Sequence, residues 1–488
     1  MLNFIRNLFK RRSFAATRID RTTADWVIST VRTNEDIRAN LATLVTRSRD
    51  LAKNNSHYRK WLSMRAKNVI GEHGLILRCK SRNADLTQDV IANNVIQRSF
   101  SEWGQFQGGG VSIDGLHSWD SFCILADRIR AVDGECFIQI IRGNVNKWGL
   151  TLKIIDSTLI DTRRNQDATT TSNEIVMGIE RDKHGKPLAY HIKQSEYLNQ
   201  NAYIRVPAAD IIHLYQPEFA GQARGFPKGC SAILDMNMSA GYKEAELIAA
   251  RVAACNMGVW ERPPNATGKL SFSDTGTEEK AAVDMEPGKF TVAPRGWQLK
   301  SLTPSHPGTN SAGFLKLIDR AMANGLDVSY ADLANDLEAV NFSSMRDGKL
   351  SERDGWKIEQ AFMIERFASV IYWHWLRQSL LMGVIQIKGQ PLPMAKLWKF
   401  EEHIFIPRRW DWVDPLKDIK ADVEAVDNLL KAPQDIIRDN GGDPEETLEQ
   451  IKEWHDKVKA AGLEVDKKAN NGGVIDEQEQ TDAEDGRQ

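Results

Sequence analysis

The run Glu135-Cys136-Phe137-Ile138-Gln139-Ile140-Ile141 marks the point where the sequence changes from helix-forming to strand-forming character. It is rich in β-branched and aromatic residues, which favour strands. The turn-like segment Gly143-Asn144-Val145-Asn146 separates it from a second such run, Thr151-Leu152-Lys153-Ile154-Ile155. Two short strand-forming runs joined by a turn predict antiparallel pairing. The middle of the chain is therefore predicted to be α+β.

A second strand pair is predicted further along the chain. Ile175 to Glu180 and Leu188 to Lys193 are strand-forming, and Asp182-Lys183-His184-Gly185 between them is a favourable turn. Together with the first pair, these runs predict an antiparallel sheet or a set of hairpins.

Apolar residues at three- and four-residue spacing predict helices on both sides of this middle part. Gln107-Gly108-Gly109-Gly110 interrupts the pattern and predicts a loop. The predicted helices are about 22–68, Gln88–Trp103, Trp119–Ala131, 231–256, Phe314–Asn324, Ser351–Met382, Lys417–Lys431, Pro433–Asn440 and Glu445–Ala461. The fold class predicted from these patterns is α+β, mostly helical.

The region from Arg262 to Pro307 is rich in proline, glycine, threonine and serine. It contains one apolar, strand-like piece, Lys289-Phe290-Thr291-Val292, and it lies between two predicted helices. The helix before it carries five alanines between Ala245 and Ala254, so a neighbouring helix could approach closely, although alanine also simply favours helix. The pattern indicates an excursion inserted between two helices.

Length and charge limit the possible functions. A chain of 488 residues is long for one compact core, so two or more packed regions are predicted. The formal net charge is only −2, whereas proteins that grip DNA tightly carry a basic excess. The balance argues against tight wrapping of DNA and leaves open a channel through which DNA slides.

The chain termini and the cysteines carry weaker signals. Residues 1–21 form a basic arm, for which docking on a neighbouring protein is favoured over a membrane-surface role, and no run is long enough to span a membrane. The acidic tail from Lys467 to Gln488 is predicted to be disordered. The cysteines are too widely spaced for a metal knuckle or redox motif, so buried free thiols in a reducing compartment are predicted for Cys79, Cys123, Cys136, Cys230 and Cys255.

No catalytic constellation is found. Gly268-Lys269-Leu270 lacks the residues of a phosphate-binding loop, and histidines and cysteines do not stand at metal-ligand spacing. The acidic pairs Glu401-Glu402 and Asp411/Asp414 are predicted to be solvated. Glu135 stays open between a special buried acid and a satisfied structural role. No catalytic residue, metal or cofactor is expected, and core positions are predicted for Trp356, Trp373 and Trp375.

The segment before the longest predicted helix is unusual. After Leu326-Asp327-Val328-Ser329-Tyr330-Ala331-Asp332-Leu333, residues 334–346 are polar, small and acidic with few core-forming side chains. Such a stretch predicts an exposed, mobile loop at about 335–346.

In this setting the chain resembles the portal proteins of lambda-like tailed phages. The matching motifs occur in the family's order and span about residues 30 to 460. They are Val132–Glu135, Ile154–Asp156 with Ile160–Thr162, Arg205–Ala208 with Ile212–Tyr215, Gly221–Gly225, the alanine-rich helix after Glu244–Leu247, Leu326–Tyr330 with Val340–Arg346, Trp412–Asp418, and Gly441–Glu446.

The resemblance implies a portal fold with wing, stem, clip and crown regions. In order, it implies an arm at 1–21, a wing at 22–230, a stem helix at 231–256, a clip at 257–307, a second stem helix at 308–328, a tunnel-loop region at 329–348, a long helix completing the wing at 349–414, a helical crown at 415–464 and a tail at 465–488. The implied DNA-facing residues of the tunnel loop are Asp336, Glu338, Val340, Asn341, Ser343 and Ser344.

The resemblance also implies a function and partners. Copies of the chain would form a ring, typically a dodecamer, at one capsid vertex, through which double-stranded DNA passes without sequence-specific binding. The implied partners are the large subunit of terminase, the major capsid protein and scaffold, and the head–tail connector protein. Assembly would take place in the host cytoplasm and nucleate the head.

Two other functions stay open at this point. A nuclease or other DNA-processing enzyme would need acids clustered around a metal ion. Another structural head protein, such as a capsid or connector subunit, is the second alternative, although a major capsid protein should be richer in strands than this largely helical sequence.

Overall fold

The computed structural model describes residues 32–194, 202–254, 258–261, 298–301, 311–338, 342–410, 415–439 and 444–462. The predicted arm at 1–21, most of the predicted clip including Lys289–Val292, and the acidic tail from Lys467 lie outside the described residues, as does Cys255. The chain divides into two compact units, Met1–Arg408 and Arg409–Gln488, in agreement with the prediction of more than one packed region.

The described elements are mostly helical, as predicted. The helices are α1 Thr33–Asn54, α2 Ser56–Arg65, α3 Val90–Trp103, α4 Trp119–Asp133, α5 Ile233–Ala254, α6 Ser311–Gly325, α7 Tyr330–Ala334, α8 Phe342–Met363, α9 Ser369–Leu381, α10 Leu397–Phe400, α11 Pro415–Asp427, α12 Pro433–Asp439 and α13 Pro444–Ala460. The strands are β1 Ile76–Cys79, β2 Cys136–Arg142, β3 Leu150–Ile155, β4 Glu174–Val176, β5 Ile179–Arg181, β6 Pro187–Lys193, β7 Tyr203–Pro207, β8 Ile211–Leu214, β9 Gly258–Glu261, β10 Gln298–Ser301, β11 Gln386–Ile387, β12 Gln390–Pro391 and β13 His403–Ile406.

Two antiparallel sheets form the centre of the first unit. One has the order β3-β2-β8, with Ile138 opposite both Ile154 and Ile212, so the predicted pairing of β2 with β3 is confirmed. The other has the order β4-β5-β6-β7. Side chains from both sheets share one buried apolar cluster, which includes Phe137 and Tyr190.

The prediction of one continuous strand from Ile175 to Glu180 is wrong. The chain turns back at Met177 and Gly178, whose φ angles are 47° and 82°, and β4 pairs with β5 across this turn. Two consecutive residues with positive φ match the twist of a tight hairpin. Met177 tolerates this strained geometry because its side chain is fully buried against α1.

A long helical rod, α8 followed by α9, passes through the first unit. A single π-helical turn at Ile364–Ala368 joins the two helices. Trp375 and Phe100 are buried and in edge-to-face contact at 5.0 Å, and Phe100 also contacts Trp119 and Phe405. These aromatic contacts, each worth about 0.5–1.5 kcal/mol beyond burial, fix the rod against α3, α4 and β13.

The predicted core positions of the three tryptophans are confirmed for Trp356 and Trp375 and wrong for Trp373. Trp373 is 39% exposed, and its indole N–H donates to Glu401 at 2.9 Å. Trp373 and Trp375 are two residues apart on a helix, so they point to different faces, and only one of those faces meets the core.

The excursion between α5 and α6 begins and ends on paired strands. β9 and β10 are antiparallel, with Gly258 opposite Ser301 and Glu261 opposite Gln298. Below them, α5 and α6 run antiparallel, since Ser231 donates to the Gly325 carbonyl at 2.7 Å and the rings of Tyr242 and Phe314 are 5.2 Å apart. The two helices predicted on either side of the excursion are therefore confirmed, and they form an antiparallel hairpin. Residues 262–297 and 302–310 of the predicted excursion lie outside the described residues.

The described cysteines are free thiols, as predicted. Cys79, Cys123 and Cys136 are buried, and Cys230 is half-buried. Burial raises the pKa of Cys79 to about 12, so this thiol stays protonated at neutral pH.

The second unit consists of helices in its described part. The helices α11, α12 and α13 each begin within a few residues of their predicted starts. Pro415, Pro433 and Pro444 each stand at the first helical position, where a missing N–H costs nothing and the fixed φ favours helix.

Candidate functional site

A short helix with a cap at each end precedes the segment predicted to face DNA. Ser329 caps the start of α7, where its hydroxyl accepts a hydrogen bond from the Asp332 N–H at 3.2 Å. Asn335 ends the helix in the left-handed conformation, with φ of 57°. The direction in which the chain leaves towards Asp336 is therefore set by local capping at both ends.

Asp336 is held in place by two partners. The Tyr330 hydroxyl donates to Asp336 Oδ2 at 2.6 Å, and Lys316 Nζ of α6 lies 2.7 Å from the same oxygen. Chiefly the hydrogen bond from Lys316, and then that from Tyr330, lower the pKa of Asp336 to about 2. The carboxylate is ionised at neutral pH, but its charge is shared with the neighbouring ammonium group.

Glu338 stands in a different environment from Asp336. Its backbone N–H donates to Asp336 Oδ1 at 3.0 Å, while its side chain is exposed. Among the described residues, no cation pairs with the Glu338 carboxylate. Of the two acids, Glu338 is the one whose full negative charge faces solvent.

The structure describes the other four predicted residues only in part. Val340 and Asn341 lie outside the described residues. Ser343 and Ser344 belong to the first turn of α8, and their side chains are not described.

The prediction of a loop reaching Arg346 is wrong for residues 342–346, because α8 begins at Phe342, nine residues before the predicted start at Ser351. Serine is well tolerated in the first turn of a helix, and Met345 and Arg346 are good helix formers.

The helix α7, which leads into the loop, contacts α6 through further side chains. Lys316 Nζ lies 5.7 Å from the centre of the Tyr330 ring, and the Arg320 guanidinium lies 5.5 Å from it. Such cation–π contacts are worth about 0.5–1 kcal/mol at exposed sites. The sequence does not reveal these partners, because Lys316 and Tyr330 belong to separate elements.

A buried charge network joins the long helix to the remainder of the first unit. Glu359 of α8 accepts from Arg65 at 2.8 Å and from Lys228 at 2.5 Å, and it also accepts from Arg130. Asp127 of α4 completes the network, with Arg65 Nη2 at 2.8 Å and Arg130 Nη2 at 2.7 Å. Lys228 lies just before α5, so this network fixes the base of the helical hairpin to the long helix.

Burial and neighbouring charges shift the pKa values in this network. Burial alone would raise the pKa of Glu359, but the three surrounding cations outweigh it and hold the pKa well below its usual range. Burial, followed by repulsion from Arg130, lowers the pKa of Lys228 to about 8. Glu359 therefore carries the charge that keeps the three cations together.

Glu135 has the satisfied structural role, the second of its two possible roles. Arg224 donates to it from Nε at 2.8 Å and from Nη2 at 2.5 Å, and the Gly225 N–H donates at 3.0 Å. His213 Nε2 is 2.9 Å away. Burial would raise the pKa of Glu135, but Arg224 and His213 outweigh it and lower the pKa.

Gly134 shows why the chain bends at this acid. Its φ is 88°, and a Cβ at this position would lie only 2.0 Å from the Phe226 carbonyl carbon. Only glycine permits this approach, which brings the Gly225 N–H to Glu135. Arg224 is 89 residues from Glu135 in sequence, so no local pattern predicts their pairing.

Two kinds of feature are absent from the described part of the chain. It contains no group of three or more histidine, cysteine, aspartate or glutamate side chains placed to hold a metal ion. None of its helices combines the length and apolar character needed to cross a membrane.

The chain is similar in sequence to known phage proteins. The family described as "Phage portal protein, lambda family" matches residues 20–360. A probable portal protein of Halomonas phage phiHAP-1 is 33% identical over 429 residues, which cover 86% of this chain and 81% of that protein. Portal protein B of Escherichia phage lambda is 22% identical over 377 residues, covering 69% and 68% of the two chains.

Solved structures show a looser similarity. A chain in the neck of a native gene transfer agent particle, computed with C12 symmetry, is 12% identical and aligns over 83% of this chain and 94% of its own length, with a TM-score of 0.46. A chain from the virion of the native gene transfer agent has the same coverage, 11% identity and a TM-score of 0.46.

Proposed function

The chain belongs to the lambda family of phage portal proteins, and on that premise we propose that its copies close into a ring around a channel for double-stranded viral DNA. DNA enters the head through this channel during packaging and leaves through it during ejection. A dodecamer, which is typical of the family, is the proposed ring. The subunit stands at one vertex of the capsid and acts as a structural protein without catalytic activity.

One observation carries this proposal. The similarity to a probable phage portal protein extends over 86% of the chain at 33% identity, and the family match runs from residue 20 to residue 360. The family match therefore includes the sheets β3-β2-β8 and β4-β5-β6-β7, the helical hairpin of α5 and α6, and the loop after α7. A nuclease or other DNA-processing enzyme has no comparable support.

The described elements suggest how the regions of a portal subunit map onto the chain. We assign residues 22–230 and 349–414 to the wing, α5 and α6 to the stem, and residues 257–307 to the clip. The loop at 335–341 is assigned to the channel wall, and α11 to α13 to the crown. These assignments follow the order of elements along the chain: a helical hairpin interrupted by an excursion, then a short loop, then a long helix.

Charge supports a channel that confines DNA without gripping it. A net charge of −2 offers little general attraction for phosphate groups. Asp336 is neutralised in part by Lys316, whereas Glu338 is exposed and unpaired within the described residues. We therefore assign to Glu338 the larger part of the repulsion that keeps DNA sliding, with Val340, Asn341, Ser343 and Ser344 as further contacts.

The proposed partners follow from the position of the ring. The clip would dock the large subunit of terminase during packaging and the head–tail connector protein afterwards. The wing and crown would contact the major capsid protein and scaffold while the head assembles in the host cytoplasm. The described helices contain none suited to cross a membrane.

The channel assignment is tested by reversing the exposed charge. Glu338→Lys places a cation where phosphates pass, so we expect slower packaging at low salt and recovery as salt screens the attraction. The measurement is nuclease-protected DNA per head over time at several salt concentrations, in heads assembled with the variant.

The matched control is Glu365→Lys, at an exposed glutamate of the long helical rod whose carboxylate pairs with Arg366. It makes the same change of charge away from the loop and should package like the unaltered protein. If Glu338→Lys packages normally at every salt concentration, the assignment of the loop to the channel is wrong.

A further inference from the structure

The helix α5 exposes an apolar stripe that the described residues of its own chain leave uncovered. Leu234, Met238 and Ile248 are 64%, 62% and 52% exposed. Gly241 and Ala245, both exposed, complete the stripe at three- and four-residue steps. The buried residues Met236 and Ser239 lie on the opposite face of the helix. A helix apolar on two faces is typical of a position between two packing partners.

Gly241 is the most informative position in this stripe. It stands in the middle of a 22-residue helix, where glycine is a poor helix former. A Cβ added there would meet no atom of the described chain within 4 Å. Packing within the described part of the subunit therefore gives no reason for a glycine, whereas a side chain from a neighbouring copy does.

The helix α6 carries a second stripe of complementary shape. Phe314 and Leu317 are 49% and 64% exposed, and the small residue Ala321 follows one turn later. Met322 and Ala323 are buried on the other side of the helix. The stripe of α5 thus has a gap at its centre, and the stripe of α6 has protruding side chains.

The two stripes stand at matching heights. The contact of Ser231 with Gly325 and that of Tyr242 with Phe314 fix the antiparallel register, because the two contacts are equally far apart along both helices. In this register Leu317 lies level with the turn that contains Met238 and Gly241. Copies related by rotation about an axis along the helices would place Leu317 of one copy at the height of Gly241 in the next.

We infer that the α6 stripe of each copy packs on the α5 stripe of its neighbour, with Leu317 seated in the gap above Gly241. This inference rests on the proposed ring and identifies one of its interfaces. The partner that covers each stripe is a second copy of this chain, because every copy carries both the gap in the α5 stripe and the protruding side chains of the α6 stripe at the same height along the hairpin. Two different surfaces that meet in this way produce a heterologous contact, which builds a ring when the rotation between copies closes. Large residues facing small ones also let the helices interdigitate.

Cysteine cross-linking tests this contact. In a background with Cys230→Ser and Cys255→Ser, we compare Gly241→Cys, Leu317→Cys and the double variant under mild oxidation. The contact predicts a ladder of covalent oligomers for the double variant, covalent dimers when the two single variants are mixed, and no cross-link for either single variant alone. Cross-linking of one single variant alone would indicate a two-fold contact and overturn the inference.

A packing variant gives an independent measurement. Gly241→Leu fills the gap and should lower the fraction of protein in rings about tenfold, because overpacking of this kind typically costs a factor of that order per contact. Gly241→Ala is the matched control and should leave the ring fraction unchanged. Native mass spectrometry gives the ring fraction, and circular dichroism verifies that both variants are folded.

The outcomes separate this interface from the ring itself. Rings with a central hole that form equally well in Gly241→Leu, and that give no cross-link between positions 241 and 317, would refute this interface and leave the proposed function intact. Absence of rings in the unaltered protein under all assembly conditions would refute the proposed function as well.

Discussion

The sheets and long helix of the first unit differ from the hairpin of α5 and α6 in how far their large side chains are buried and their charged groups are paired. In the sheets and long helix, four tryptophans are fully buried: Trp61, Trp103, Trp148 and Trp375. The carboxylates of Glu135 and Glu359 each accept several hydrogen bonds from charged side chains or backbone N–H groups. In the hairpin, large apolar residues such as Leu234, Met238 and Leu317 are mostly exposed. The first region buries its largest aromatic side chains within a single chain, whereas the hairpin carries two apolar stripes that the described residues leave uncovered.

This difference separates what a single copy needs in order to fold from what an assembly needs in order to form. Burial of aromatic and aliphatic side chains stabilises the first region without a partner. Covering the stripes of the hairpin stabilises only the state in which copies meet. Substitutions in the first region should therefore change the unfolding of one copy, whereas substitutions on the stripes should change assembly.

The largest expected effect comes from breaking the buried charge network. Glu359→Ala leaves Arg65, Arg130 and Lys228 without their shared carboxylate and should lower the free energy of unfolding by about 3–5 kcal/mol. Urea unfolding followed by tryptophan fluorescence measures this change. Glu365→Ala, at an exposed glutamate of the same rod, should change it by less than about 0.5 kcal/mol. Equal losses for the two variants would contradict the structural role of the network.

A pair of leucines sharpens the comparison directly. Leu376 of α9 is fully buried, so Leu376→Ala should lower the free energy of unfolding by about 2–5 kcal/mol through lost burial and a residual cavity. Leu317 is 64% exposed, so Leu317→Ala should lower it by less than about 0.5 kcal/mol in dissociated protein. Urea titration of both variants at low protein concentration makes the measurement. A large loss for Leu317→Ala would show that the hairpin is completed within one chain.

Replacing the glycine of the hairpin should have a smaller effect of opposite sign. Gly241→Ala removes a poor helix former from the middle of α5 without a clash, so it should stabilise dissociated protein by about 0.5–1 kcal/mol. Thermal unfolding monitored by circular dichroism detects this gain. A loss of stability would mean that the open space beside Gly241 is filled within the single chain.

The smallest expected effect concerns acid sensitivity in the four-stranded sheet. Arg205 is the main cause that lowers the pKa of Glu180 from 4.5 to about 2, through a hydrogen bond of 2.7 Å. Stabilisation by this pair is therefore complete above pH 4.5 and is lost as the pH falls towards 2. Arg205→Ala should be less stable than the unaltered protein at pH 6, and the difference should shrink between pH 5 and pH 2. Urea unfolding at several pH values measures it, and a constant difference would contradict this pKa shift.

Sequence patterns predict elements well where the signal is local. The helices α3, α4, α12 and α13 begin within two residues of their predicted starts. The prediction of one strand from Ile175 to Glu180 is wrong, because Gly178 is the only typical turn residue there and Met177 is held in the turn by burial against α1. The early start of α8 is also missed, because serine and asparagine near Phe342 resemble a loop as closely as a helix start.

The candidate site is predictable only in part for a related reason. Asp336 and Glu338 are found from the composition of one segment, but that segment gives no sign that Lys316 neutralises only Asp336. The network around Glu359 joins residues that are hundreds of positions apart, such as Arg65. Contacts of that kind arise from tertiary packing and leave no periodic trace in the sequence.

Electron microscopy of the purified full-length protein tests the central claim most directly. The account predicts closed rings of identical copies around a central hole wide enough for duplex DNA, with the hairpins of neighbouring copies in side-by-side contact. Protein that stays monomeric under every assembly condition, or that forms particles without a hole, would contradict it.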